Sequence, residues 1–268
     1  MSSHTHRHTS GTEPSTPLIV STDGPVRILR INRPHVLNAL SVGLSRAMTE
    51  AFAAAESDPA IRAIVVTGTG ERAFSAGGDL KERAAGPMNG DGARFVTKML
   101  KNRPDTPLIA AINGLAYGGG LELVLACDLA VCADHATFAL PEASRGIVAS
   151  GGGLVRLPHV VGPRRALQLA LTAGTIDARE ALSWGLVNQV TAGPDVLEAA
   201  VALGRAIARN APLAVTAGKK MIQESSRLPE SSAWEANEVH YEHVINSEDA
   251  MEGPLAFAER RAPLWKGR

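Results

Sequence analysis

The sequence predicts an α/β protein in which helices cross between mostly parallel strands, and three observations predict it. Short apolar, β-branched runs recur at 61–67, 108–112 and 129–133. Turn residues close the first two, as Gly68-Thr69-Gly70 and Asn113-Gly114. From about Arg164 helical spacing takes over, broken only by Leu186 to Val190, so a helical region should follow the α/β part.

Taken in order, residues 1–17 are mostly Ser, Thr, His, Gly and Pro and read as a disordered tail. His4, His6 and His8 alternate there, a pattern that solvates well and holds metal only loosely. Order should begin near Leu18. Val26, Ile28 and Ile31 form a strand ended by Asn32-Arg33-Pro34. Ser41 then opens a helix whose buried stripe is Leu44, Met48, Phe52 and Ala55. The run 61–67 is a buried strand. Asp91 can cap a helix through Leu100, and strands follow at 108–112 and 129–133, separated by one further helix. Helices are expected at 164–172, 177–184, 195–209, 212–225, 232–245 and 248–260, with a strand at 186–190. The last sixty residues carry Val215, Met221, Ile222, Trp234, Phe257 and Trp265, which should pack on the core or on another subunit.

Composition narrows the function. A chain of 268 residues is long enough for one large or two modest domains, and 45% hydrophobic with 20% charged excludes wholesale disorder. With 27 basic and 27 acidic residues the formal net charge is zero, which gives no footprint for nucleic acid or an anionic membrane. No run of 18 apolar residues is present to span a bilayer, and no apolar signal segment is seen at the start, so a cytoplasmic protein is expected. Cys127 and Cys132 form no Cys-x-x-Cys and read as two buried thiols; no metal site is expected.

Three segments can carry chemistry: Phe74 to Leu80, Ala116 to Leu123, and Phe138 to Glu142. Glycines at a helix start free backbone N–H groups, which can cradle a phosphate or an oxyanion. A phosphate loop needs Gly-Lys-Ser/Thr, and Leu121-Glu122 stands there instead; a dinucleotide fingerprint is absent too. A developing oxyanion remains, beside the plainer alternative of close helix–strand packing. Glu122 lies among Leu121, Leu123, Val124 and Leu125, where a buried carboxyl needs a partner or a raised pKa, the property of a general acid near neutral pH. Glu142 follows Pro141 at a strand end; a salt bridge to an arginine such as Arg145 is its other explanation. Ser75 and Ser150 lack a nucleophile elbow, His135 and His159 belong to no readable triad, and Tyr117 should pack over the glycine loop.

In this order, these segments resemble the enoyl-CoA hydratase/isomerase (crotonase) superfamily. The likeness runs from Leu18 onward through Asn32-Arg33-Pro34, Leu37-Asn38-Ala39-Leu40, Phe74 to Leu80, Ala111 to Asp128, Pro141-Glu142 and Ala181 to Asn188. The resemblance implies a spiral of ββα units over 18–208 and a helical region, 209–268, that builds homotrimers, often paired as hexamers. It implies an acyl-CoA thioester substrate, with coenzyme A part of that substrate and no separate cofactor. It assigns the oxyanion hole to the N–H groups of Ala76 and Gly119, and the substrate groove to Ala76, Gly77, Gly78 and Asp79. It assigns catalysis to Glu122, activating a water, and Glu142, supplying a proton to Cα; the pair distinguishes hydratases from many isomerases. A water would thus add to a 2-trans-enoyl-CoA.

The tail Ser247 to Arg261, the ending Trp265-Lys266-Gly267-Arg268 and Phe138 to Ala143 resemble carnitinyl-CoA dehydratases, which run the same chemistry on a trimethylammonium substrate. Gly78 stands where those enzymes tend to have Trp, and Ala149 replaces a Pro common in the family. A general enoyl-CoA hydratase is therefore the expected activity, with carnitinyl-CoA dehydratase or isomerase as alternatives. The non-enzyme alternative is a non-catalytic acyl-CoA-binding or RNA-binding member, since some relatives bind RNA; the neutral charge argues against RNA and the two glutamates against lost catalysis.

Overall fold

The computed structural model describes residues 16–84, 97–226 and 228–268. Most of the expected disordered tail and the expected cap Asp91 lie outside them; residues 97–101 are helical. Thr16 and Pro17 already accept hydrogen bonds from Asn32, through its side chain and its backbone N–H.

Two sheets are built from repeated strand–strand–helix units. The larger runs in the order 18–23, 26–31, 63–68, 108–112, 129–133 and 189–191, and the smaller in the order 73–75, 115–117, 137–139 and 175–177. β1 (Leu18–Asp23) and β2 (Val26–Ile31) pair antiparallel around Gly24. β3 (Ala63–Gly68), β5 (Leu108–Ile112), β7 (Leu129–Ala133) and β10 (Gln189–Thr191) then continue the sheet in parallel. β3 and β5 are buried at every residue, because a parallel strand covered on both faces must be apolar throughout. Three of the parallel strands are each followed by a short strand of the second sheet: β4 (Ala73–Ser75) after β3, β6 (Leu115–Tyr117) after β5, and β8 (Thr137–Ala139) after β7. β9 (Thr175–Asp177) closes the small sheet antiparallel to β8. The α/β layering and the ββα repeat are both as expected.

Ser41 caps the Val42–Ser57 helix, its Oγ accepting from Leu44 N–H at 3.2 Å, and Leu44, Met48, Phe52 and Ala55 are buried as the spacing required. The last strand starts at Gln189 rather than at 186. Leu186 and Val187 are buried ahead of it, while Asn188 continues the ladder: its N–H and its Oδ1 pair with Ala130 at 2.8 Å each. A helix at Gly153–Val161 was not expected; glycines before it and Pro158 within it hide the period.

The helices Pro212–Ser225, Glu230–Ile245 and Glu248–Glu259 form the C-terminal region. The first is tied to the core by Lys219, whose buried ammonium donates to Pro104 O (2.7 Å) and Thr106 O (3.1 Å) and pairs with Asp128 Oδ2 (2.7 Å). Lys219→Met should therefore destabilise the chain by about 1–3 kcal/mol, since it takes the cation from the half-buried Asp128 carboxylate, which keeps only its bonds from Leu108 N–H and Gln223, and leaves two carbonyls without their donor. A urea unfolding midpoint within error of wild type would refute this. Ile222, Trp234, Val239, Met251 and Phe257 are exposed in the single chain.

Candidate active site

The site begins with residues 37–40, which act as an irregular edge for 76–79. Ala76 N–H donates to Leu37 O (2.9 Å), Leu40 N–H to Gly77 O (2.8 Å), and Asp79 N–H to Leu40 O (3.0 Å). In such a parallel pairing the flanking groups face the partner, so the N–H of Gly78 faces the other way. The edge is held rigid by side chains. Asn38, buried with φ of 55°, accepts from Arg33 N–H and donates to Ala73 O at 2.7 Å. Arg33 donates to Ala39 O (2.7 Å) and pairs with Asp79 at 2.9 Å. Burial raises the Asp79 pKa, but the Arg33 guanidinium and the N–H groups of Glu82 and Lys81 outweigh it and hold the carboxyl below its ordinary value. Its carboxylate is thus committed to shaping the loop and capping the Leu80–Ala84 helix.

Opposite lies the turn from β6 into the Gly119–Val124 helix. Gly118 N–H donates to Ala139 O at 2.9 Å. Gly77, at φ +93°, meets this turn backbone to backbone: a Cβ on Gly77 would lie 2.8 Å from Tyr117 O and 2.9 Å from Gly119 N. A Cβ on Gly119 would lie 3.3 Å from Gly78 N. The amides of Gly78 and Gly119 are therefore neighbours, and among the described residues neither N–H is engaged in a hydrogen bond.

This corrects the expected oxyanion pair. The Gly119 N–H is available, but the Ala76 N–H is used in pairing with Leu37, and Gly78 presents the second available amide. The glycine-rich composition pointed to the loop; which amide faces outward depends on the partner strand, which composition does not reveal.

Both glutamates border the same turn. Glu122 is 4% exposed, one helical turn beyond Gly118, and its Oε1 accepts from Gly153 N–H at 2.9 Å. Glu142 is 9% exposed in the first turn of the 3₁₀ segment Pro141–Arg145; its Oε1 lies 2.9 Å from where a Cβ on Gly118 would be. Arg145 is exposed to solvent. The Glu142 carboxyl thus lies at the turn that carries the two available amides, and Glu122 stands in the helix that leaves that turn, an arrangement suited to stabilising negative charge on an oxygen while protons move beside it.

The description "Enoyl-CoA hydratase/isomerase" matches residues 22–268. The chain belongs to that family. A carnitinyl-CoA dehydratase of Salmonella typhi is 41% identical over 263 residues, spanning 95% of this chain and 100% of that protein. The crystal structure of an enoyl-CoA hydratase from Bacillus anthracis superposes with a TM-score of 0.90 at 34% identity, covering 94% of this chain and 100% of that one. An enoyl-CoA hydratase from Mycobacterium tuberculosis H37Rv gives 0.88 at 39% identity, covering 95% and 100%.

The other candidates in this family member are structural. Ser75 is buried and accepts from Gly77 N–H, bracing the loop, whereas Ser150 is exposed. Tyr117 shares a hydrogen bond with Thr137 at 3.1 Å. His135 is exposed and held by Glu71 O and Asp134, which raise its pKa against the effect of burial; His159 is also exposed. Burial pushes the Cys132 thiol up to about 12 and raises Cys127 as well, so neither is a thiolate nucleophile at neutral pH. Among the described residues no three His, Cys, Asp or Glu gather to hold a metal, and no helix is long and apolar enough to cross a membrane.

Proposed function

We infer that this chain is a hydro-lyase that adds water reversibly across the α,β double bond of an enoyl-CoA thioester. The observation that carries this reading is two buried glutamates, one beside the glycine turn and one in the helix that leaves it, together with the neighbouring Gly78 and Gly119 amides. Hydrogen bonds from those N–H groups to the thioester carbonyl draw electrons from the double bond and make Cβ electrophilic. Glu122 takes a proton from water as its oxygen bonds to Cβ, the π electrons move toward the carbonyl oxygen, and Glu142 in its protonated form delivers a proton to Cα. Each amide contributes roughly 3 kcal/mol to the charge-bearing transition state in comparable sites. Coenzyme A enters as part of the substrate and no separate cofactor takes part.

A second reading, dehydration of a carnitinyl-CoA, is favoured by the 41% identity to carnitinyl-CoA dehydratases along their full length. Crotonyl-CoA and crotonobetainyl-CoA should be compared by loss of the conjugated thioester absorbance. Higher kcat/KM on crotonyl-CoA supports the first reading and higher kcat/KM on crotonobetainyl-CoA the second; inertness on both with tight acyl-CoA binding would refute catalysis. We also read the protein as a cytoplasmic homotrimer or homohexamer assembled through residues 209–268. Two free thiols and the exposed Trp234, Val239, Met251 and Phe257 support this.

A further inference from the structure

The carboxyl of Glu122 rests on backbone. Its Oε1 accepts from Gly153 N–H at 2.9 Å. A Cβ on Gly151 would lie 2.5 Å from Oε2, and one on Gly153 would lie 3.2 Å from Cγ. Gly151 and Gly153 therefore form the seat of that side chain, and a Cβ at 151 would collide with its carboxyl. Yet three successive glycines are the least rigid backbone a chain can offer. Something must hold the seat.

Arg156 does so from the first turn of the Gly153–Val161 helix. Its own N–H donates to Gly152 O at 2.8 Å. Its guanidinium folds back over Gly152, where a Cβ would lie 2.7 Å from Nη1. Nη2 donates to Leu100 O at 2.8 Å, and Nη1 reaches Gly151 O at 3.4 Å. Leu100 is buried near the end of the 97–101 helix, and its Cδ1 would lie 2.5 Å from a Cβ on Gly151. The last carbonyls of a helix have no intrahelical partner and favour a cation. A planar guanidinium can serve such a carbonyl and a second one together, which an ammonium on a single stem cannot do as rigidly.

The geometry points to Arg156 as a positioning residue for Glu122: it ties the glycine seat beneath that carboxyl to the end of the 97–101 helix. This rests on the reading of Glu122 as the base that activates water. Arg156 acts through Gly151 and Gly152, and its effect belongs in turnover rather than in substrate affinity, because a small displacement of a reacting group costs rate.

The test is steady-state kinetics on the full chain with crotonyl-CoA or crotonobetainyl-CoA, whichever is turned over. Arg156→Gln should lower kcat about tenfold to a hundredfold while KM stays within about twofold. Arg156→Lys should recover part of that loss, since a shorter side chain ending in a compact ammonium holds the two carbonyls less rigidly than the guanidinium fork. Combining Arg156→Gln with Glu122→Gln should be no slower than Glu122→Gln alone, because no base remains to be positioned. Full multiplicative loss in the double variant, a change confined to KM, or wild-type kcat in Arg156→Gln would overturn the assignment. If Arg156→Gln does not fold, Arg156→Lys carries the test: reduced kcat with unchanged KM and melting temperature supports the role, and wild-type kcat removes it. High activity in Glu122→Gln would instead sink the reading of Glu122 itself, a distinguishable failure.

Discussion

Glu122→Gln is expected to lower kcat by about a thousandfold or more, and Glu142→Gln by a similar factor, each leaving the dissociation constant for free coenzyme A within about twofold. The amide has nearly the size of the carboxyl, so the packing of both buried positions survives. In Glu122→Gln the amide oxygen still accepts from Gly153 N–H, which keeps the seat occupied while removing the base. In Glu142→Gln the side chain keeps its place beside Gly118 but has no acidic proton to give Cα. The two losses should not multiply in the double variant, because both groups act on one addition of one water. Circular dichroism and melting curves would confirm that the variants are folded. Turnover within tenfold of wild type in either variant would remove that residue from the mechanism.

The parts of this fold that the sequence reveals are those governed by burial. β3 and β5 are buried at every position and followed by turn residues, so their type follows from composition; β5 has the expected limits, whereas β3 starts two residues later than the apolar run 61–67 and ends one residue beyond it. The Val42–Ser57 helix shows its cap at Ser41 and its stripe at Leu44, Met48, Phe52 and Ala55. β1 escaped notice because four of its six residues are exposed and its sequence, Leu-Ile-Val-Ser-Thr-Asp, has no alternation tied to a core. β4, β6 and β9 are three residues long, too short to show a period, and exist because longer neighbours bring them together.

The site divides in the same way. A glutamate inside an apolar helix is conspicuous because an unsupported buried charge is costly, and that singles out Glu122. Identifying Gly78 instead of Ala76 needed the pairing of 76–79 with 37–40, a contact made by residues about forty apart. The polar residues that enforce this pairing, Arg33, Asn38 and Asn113, look like ordinary turn residues in the sequence. In the structure Asn113 accepts from Gly68 N–H and donates to Ala73 O, while Asn38 donates to the same carbonyl, so both amides brace the approach to β4. Arg156 is equally silent in sequence, since its guanidinium meets the backbone carbonyls of Leu100 and Gly151, which no residue type announces.

The amide corner itself is tested by a pair of neighbouring glycines with opposite surroundings. Gly77→Ala should lower kcat by about a hundredfold to a thousandfold, the loss seen when one oxyanion donor is removed. The new methyl would lie 2.8 Å from Tyr117 O and 2.9 Å from Gly119 N, both backbone atoms that no rotamer change can move away. The φ of +93° adds strain of about 1–3 kcal/mol for any residue with a Cβ. Relief requires the 76–79 segment and the Gly118–Gly120 turn to separate, which parts the two amides while leaving both glutamates chemically intact. Gly78→Ala is the matched control: no atom lies within 4 Å of its Cβ and its φ is outside the left-handed region, so kcat and melting temperature should stay close to wild type. Stopped-flow or steady-state turnover on both variants, with melting curves to show that Gly77→Ala remains folded, distinguishes the outcomes. Equal activity in the two would mean that the spacing of these amides does not control the reaction, and the carbonyl would have to be activated elsewhere. A large loss confined to Gly77→Ala, with acyl-CoA still bound, would tie the rate to the one feature that substitution disturbs: the approach of the Gly78 and Gly119 N–H groups to a single oxygen.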